Sequence, residues 1–235
     1  GVTFTETYRI QERANAPTRS GFDNFVIGTQ YHLYVNPEHQ FIFTIGGTAA
    51  IGGTGSSKVA NPFSTLTPTV YVGKGFGDLP DSMAWLRPVN VTANVGVALP
   101  TQSTTLSTTT LPTGVTAVTE TVNPNILLWS FALEYTLLTT NSYFGSDGKV
   151  RRFPQGWVPL VEFALTTPLN GPNAGLTTGM VNPGIIWVDR YFQFGVEAIV
   201  PVNARSGSDI GVRAQAHLYL SEIFPDTIGK PIFSK

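Results

Sequence analysis

Apolar and polar residues alternate along most of this chain with a period of two. Phe25, Ile27, Thr29, Tyr31, Leu33 and Val35 fall on one side of an extended segment, with Val26, Gly28, Gln30, His32 and Tyr34 on the other. Phe41, Phe43, Ile45, Gly47, Ala49 and Ile51 repeat the pattern against Thr44, Gly46 and Thr48. Leu127, Trp129, Phe131, Leu133, Tyr135 and Leu137 enclose Ser130, Ala132, Glu134 and Thr136. Successive side chains of a strand point to opposite faces, so this alternation predicts strands with one apolar and one polar face. Ten such segments lie near residues 2–12, 22–35, 41–52, 64–75, 87–99, 125–139, 157–168, 180–189, 191–202 and 209–222. The eighth is the weakest, because Pro183 and Gly184 interrupt it.

Segment length carries the next inference. An ordinary globular strand has about five or six residues, whereas a strand crossing a bilayer needs about 9–11. Several of these segments exceed that. The connections also differ in kind: those near 36–39 and 189–190 are very short, and others are long and built of Gly, Ser, Thr, Pro and Asn. The longest, from Pro100 to about Pro124, contains the low-complexity run Ser103–Thr110. Short turns on one side and long loops on the other characterise outer-membrane barrels. The expected fold is all-β: a single antiparallel up-and-down transmembrane β-barrel of about 10 strands, with 12 as the alternative. Residues 1–222 would form the barrel and 223–235 a periplasmic C-terminal tail. The link 141–156 is too long for a periplasmic turn and departs from the rule.

A soluble β-sandwich or jelly roll of capsid or lectin type also gives alternating strands and Thr-rich loops. Its outer face should be charged. Here the polar face is mostly Gly, Thr, Gln, Asn and Ala, with at most one charge per strand, and a water-facing sheet of this kind would be sticky. The aromatics agree with a barrel. Phe41, Phe43, Trp157, Trp187 and Phe192 are expected near the lower rim, and Phe25, Trp129 and Phe131 near the upper, as interfacial girdles.

Composition narrows the function. Of 235 residues, 12% are charged, about half the soluble average of about 25%. The net charge of −1 offers no basic surface, so nucleic acid is not an expected partner. The absence of cysteine excludes disulfides, thiolate catalysis and Cys-based zinc sites. Gly 24, Pro 17 and 30 Thr disfavour long helices. No run of 18 apolar residues exists to form a transmembrane helix. The opening residues lack the basic and apolar regions of a signal peptide.

More specific features stand in the C-terminal third. Val181-Asn182-Pro183-Gly184-Ile185 leads into an aromatic strand ending Val200-Pro201-Val202, and the last strand runs from Ile210-Gly211-Val212 to His217-Leu218-Tyr219-Leu220. Ile223-Phe224-Pro225-Asp226 and Gly229-Lys230-Pro231-Ile232-Phe233 follow. This pattern resembles the outer-membrane β-barrel family associated with meta-pathway phenol degradation, whose members are labelled transporters. The resemblance implies a bacterial outer-membrane location without fixing a substrate. The chain departs from usual barrels in ending on Lys235 rather than an aromatic residue.

No catalytic, cofactor or metal constellation is expected. The histidines, His32, His39 and His217, form no HExxH pair, and no GxSxG elbow occurs. Gly73-Lys74-Gly75-Phe76-Gly77 lacks phosphate-loop spacing and reads as a hairpin turn, and the Asn90-Val91-Thr92 sequon sits mid-strand. The expected lumen-lining residues are Arg9, Gln30, His32, Asn94, Glu134, Glu162, Glu197, Arg213, Gln215 and His217. Arg9, Arg213 and Glu197 are expected to meet if the first strand closes on the last, with Glu162 and Glu134 on the adjoining wall. Membrane lipid is the expected partner. The function expected is a narrow channel or transporter, not an enzyme, for small solutes, apolar or aromatic ones included. The alternative is an interaction barrel whose tail docks periplasmic or outer-membrane proteins. Protease added to intact cells should cut within 101–123; protection there with cleavage of the short turns would reverse the orientation.

Overall fold

A computed structural model of the chain describes residues 1–13, 16–110, 116–144, 149–225 and 227. It is built almost wholly of antiparallel strands. From the N-terminus these are β1 (Val2–Thr5), β2 (Tyr8–Arg13), β3 (Ala16–Phe22), β4 (Val26–Asn36), β5 (Phe41–Ala50) and β6 (Thr65–Gly75). After a 3-10 helix over Asp81–Leu86 come β7 (Val89–Pro100), β8 (Thr104–Thr110), β9 (Thr116–Val122), β10 (Ile126–Tyr135) and β11 (Leu137–Phe144). The chain continues through β12 (Val150–Pro168), β13 (Thr178–Val188), β14 (Phe192–Pro201) and β15 (Gly211–Leu218) to a short helix, α1 (Leu220–Ile223).

One sheet holds β1-β4-β5-β6-β7-β10-β12-β13-β14-β15 in that order, with β11 beside the first half of β12. The ten strands on this path correspond to the ten alternating segments. β2–β3 and β8–β9 form separate two-stranded hairpins. β1 and β15 are the two ends of the path, and no backbone ladder joins them among the described residues.

The connections sort by end. One end of the sheet carries the β2–β3 and β8–β9 hairpins and the loops 51–64, 169–177 and 202–210. The opposite end carries the turns 37–40 and 189–191, the 76–88 link, the β11–β12 hairpin and α1. The region 101–123, read as a loop, is mostly the β8–β9 hairpin, with Thr105 opposite Thr121 and Ser107 opposite Thr119. Its β-branched threonines suit a pleated strand as well as a loop. Of the long 141–156 link, residues 141–144 belong to β11 and 150–156 to β12: β10 and β11 run on with only Thr136 between them, and β12 follows both for 19 residues. Gly73 to Gly75 lie within β6, not in a turn.

The register is staggered. A single cross-strand row runs Gln30, Gly46, Thr69, Gly96, Leu128, Thr166, Thr178. It enters at the fifth residue of β4 and leaves at the first residue of β13. Strands that step past one another in this way tilt when a sheet curls. Prolines interrupt the ladder on one side only. Pro183 pairs with Val161 of β12, but the β13–β14 ladder lapses at Asn182 and Pro183; Pro68 does the same between β6 and β7. A residue without an N–H can serve one neighbour and not the other.

The faces match the expected alternation, with one change of phase. In β4, His32 pairs with Thr44 and Tyr34 with Phe43, leaving Leu33 in a bulge. The extra residue moves Tyr34 to the apolar side, where its ring lies 6.0 Å from Phe41, and moves Val35 to the polar side beside Ile42. Periodicity alone had these two residues the other way round.

The apolar face is the one left uncovered. Tyr31 is 69% exposed, Leu133 51%, Phe194 46% and Leu218 65%, with Val95 and Leu66 similarly open. Neither hairpin packs across it. The buried residues are Phe63 and Val158 among apolar side chains, and Asn24, Thr44, Asn182 and Glu197 among polar ones. Burying a large apolar side chain contributes about 1.5–3 kcal/mol. Half-exposing these six in water therefore forgoes on the order of 5–10 kcal/mol, comparable with the whole stability of a folded domain. The face must be covered by something other than water. Replacing Leu133 with Arg should destabilise the vesicle-inserted protein by about 2–4 kcal/mol, read from urea unfolding monitored by tryptophan fluorescence; a neutral result would mean that this face does not meet lipid.

Candidate functional site

The polar face gathers charge in one place. Arg213 on β15 stands directly opposite Glu197 on β14. Its Nε donates to Glu197 Oε1 at 3.2 Å and its Nη2 to Glu197 Oε2 at 2.8 Å. The same Nη2 donates to Glu162 Oε2 on β12 at 2.7 Å. Asn182 on β13, opposite Glu162, completes the group by donating from Nδ2 to the same oxygen at 3.4 Å. Glu197 is 6% exposed and Asn182 only 2%. A buried carboxylate requires such partners, since an unpaired one costs several kcal/mol.

These contacts give the sheet its curvature. Three strand spacings separate Arg213 from Glu162, about 14 Å on a flat sheet, yet their side chains touch. One cavity of about 400 Å³ is lined from Thr92 on β7, through Glu134 and Glu162, to Arg213 and Gln215 on β15. Those outermost strands would stand about 24 Å apart if flat. The sheet therefore curls with its polar face inward. Gly184 keeps the inner surface clear: it lies opposite Glu197, and a Cβ there would come within 2.9 Å of the Glu197 Cβ. An ordinary side chain at that position would stand between β15 and β12, where Arg213 reaches across.

The other expected inner residues are spread along the same face. His32 Nδ1 lies 2.8 Å from Thr44 Oγ1, and Asn94 donates to the Ser130 hydroxyl. Gln30 lies beside Gly1, Gln215 beside Gly195, and His217 opposite Gln193. Arg9 is the exception. The first segment breaks after Thr5, so Arg9 belongs to the β2–β3 hairpin and pairs with Asp23, away from Glu197 and Arg213. Alternation within 2–12 could not reveal that break. Asn182 and Gly184 were missed because the prolyl segment that holds them is the weakest in pattern; the signal available was Asn182 itself, the one polar side chain in a Val-Asn-Pro-Gly-Ile run.

Phe41, Phe43, Trp157, Trp187 and Phe192 lie on the half of the sheet toward the short turns, where Trp157 and Trp187 face each other at 4.8 Å between ring centres. Phe25 precedes β4 and stacks on Phe4, and Trp129 donates from Nε1 to Thr167 at 3.3 Å. Phe131, expected at the upper rim, sits at mid-strand and stacks on Phe163 at 4.3 Å.

Among the described residues, no group of three or more His, Cys, Asp or Glu side chains could hold a metal ion, and no helix is long and apolar enough to cross a membrane. Of the tail, 223–225 and 227 are described. The end of β15 is anchored there: Glu222 Oε2 accepts from Tyr143 at 3.0 Å and from Arg190 Nε at 3.1 Å, and the Arg190 guanidinium lies on the Tyr143 ring. The rest of the tail lies outside the described residues. No family model matches this chain, and comparison with curated proteins and with solved structures finds no similar one.

Replacing Arg213 with Met leaves Glu197 buried without its cation. The expected loss is about 3 kcal/mol, at the low end for a broken buried pair because Arg213 is 44% exposed. Adding Glu197→Gln should recover part of it. Equal urea midpoints for the single and double variants would show that the pair bears no buried charge.

Proposed function

We propose that this chain closes into a ten-stranded barrel in a bacterial outer membrane and passes small polar solutes through a narrow lumen. The observation that carries the reading is the inverted partition of the faces: the uncovered side of the sheet is apolar and the enclosed side is polar. Lipid is the solvent that suits such an outer face, and strands are the spanning elements that suit this chain. Strand length, stagger and the aromatic residues toward the short turns support it.

Closure needs β1 to meet β15. Ten antiparallel strands on one path leave the first and last running in opposite directions, as a ladder requires. Val2 and Phe4 share the apolar face with Val212, Ala214, Ala216 and Leu218, so an even register keeps that face continuous across the seam. A barrel of this size is largely filled by its own side chains, since water-filled channels take about 16–18 strands. The polar lining favours hydrated solutes over the apolar or aromatic ones considered from sequence. An interaction barrel would keep this architecture and lack only the passage; its supporting observation is the clasp of Glu222 by Tyr143 and Arg190.

The protein should fractionate with outer membranes, require detergent, and migrate faster on gels unheated than boiled. Refolded into vesicles, it should admit a small sugar and exclude a disaccharide in a swelling assay. Because the chain has no cysteine, a cysteine at Thr5 paired with one at Gln215, His217 or Arg213 reports the seam; oxidation should cross-link at least one pair. A monomer soluble without detergent would overturn the membrane reading, and tight vesicles would favour the interaction barrel.

A further inference from the structure

The charges inside the curl do not balance. Between the two rims, and among the described residues, the polar faces of the main-sheet strands carry Glu134, Glu162, Glu197 and Arg213, three carboxylates against one guanidinium. Arg213 already serves two of them: Glu197 takes two of its hydrogen bonds and Glu162 a third. Glu134 lines the same cavity from β10, two strands beyond β13, and has no hydrogen-bond or ion-pair partner among the described residues. Behind Glu162, Asn182 is almost wholly buried, its Nδ2 is directed to Glu162, and its Oδ1 finds no donor. Of the charged side chains that line this cavity, the one without a partner is therefore an anion, Glu134. Counted as ionised, three carboxylates and one guanidinium leave the lining with an excess of negative charge.

We infer that the cavity selects small organic cations bearing N–H donors, of the ammonium or guanidinium class. This rests on the reading of the chain as a channel and adds the charge of what passes. The chemistry is specific. A primary ammonium or guanidinium supplies the donors that Glu134 lacks, and it repeats at a second position the pairing that Arg213 already makes with Glu162 and Glu197. An anion entering the same space would meet an uncompensated carboxylate within a low-dielectric wall, where repulsion is much stronger than in water. Apolar neighbours, Leu160 and Ile186, complete the lining and suit a short alkyl group beside the charged head.

The test uses the full chain in planar lipid bilayers, with methylguanidinium methanesulfonate at different concentrations on the two sides. The two ions are similar in size and opposite in charge. The reversal potential should show preference for methylguanidinium. Glu134→Gln should lower that preference roughly three-fold or more, because one fixed charge focusing the cation is removed. Thr92→Lys, which sets an ammonium across the same cavity, should lower it further, and serves if Glu134→Gln fails to show the faster unheated gel mobility of folded protein. A conducting protein with no preference, or with a preference for methanesulfonate, overturns the inference and leaves the channel reading intact. So does an unchanged preference in both folded variants. Correctly inserted protein that never conducts overturns the channel reading instead.

Discussion

Apart from β11, every main-sheet strand from β5 to β14 has a neighbour on each side, so most of its N–H and C=O groups are paired without recourse to water. That pairing is what allows one face to be apolar from rim to rim. A lone hairpin with the same alternation would leave polar backbone exposed along both edges, and such edges are unacceptable in hydrocarbon. The hairpins β2–β3 and β8–β9 have free edges and stand at the end with the long loops. Where the ladder does lapse, at Asn182–Pro183 and Thr67–Pro68, the cause is a missing N–H, and the neighbour on the other side keeps the strand in place.

Given that ladder, the inner face sets the curvature. Glycine at 184 admits a close approach, and a guanidinium long enough to span three strands draws β15 toward β12. The arrangement is electrostatically costly unless Glu197 is satisfied, because that carboxylate is almost wholly withdrawn from solvent. Glu162 and Glu197 are satisfied by Arg213. Glu134 is not. The proposed cation preference follows from that difference and from no motif.

The two ends of the sheet do different work. The end with short turns gathers Trp157, Trp187 and Phe192 and fastens α1 through Glu222 to Tyr143 and Arg190. The other end bears two hairpins, β2–β3 with several charged residues and β8–β9 rich in threonine. An asymmetry of this kind matches a protein that meets a different environment on each side, and it gives the interaction reading its best footing at the turn end.

The all-β character, most strands of the main sheet and nearly all of their faces were legible in the amino-acid order, because the period of two is a local property: each residue's side follows from its neighbours. Leu127, Trp129, Phe131 and Leu133 could be assigned to one face without knowing what lay beside them. The height of Phe131 was not legible, because it depends on where the strand begins. What the order could not reveal was anything that depends on a partner strand. The bulge at Leu33 appears only when β5 is set beside β4, and it reverses Tyr34 and Val35. The break after Thr5 sends Arg9 to Asp23 because β1 pairs with β4 for four residues and no further. Arg213 meets Glu162, 51 residues away in sequence, through register, stagger and curl acting together. Alternation is written residue by residue, whereas register and curvature arise from hydrogen bonds and side-chain contacts between distant segments, and only the tertiary structure decides those.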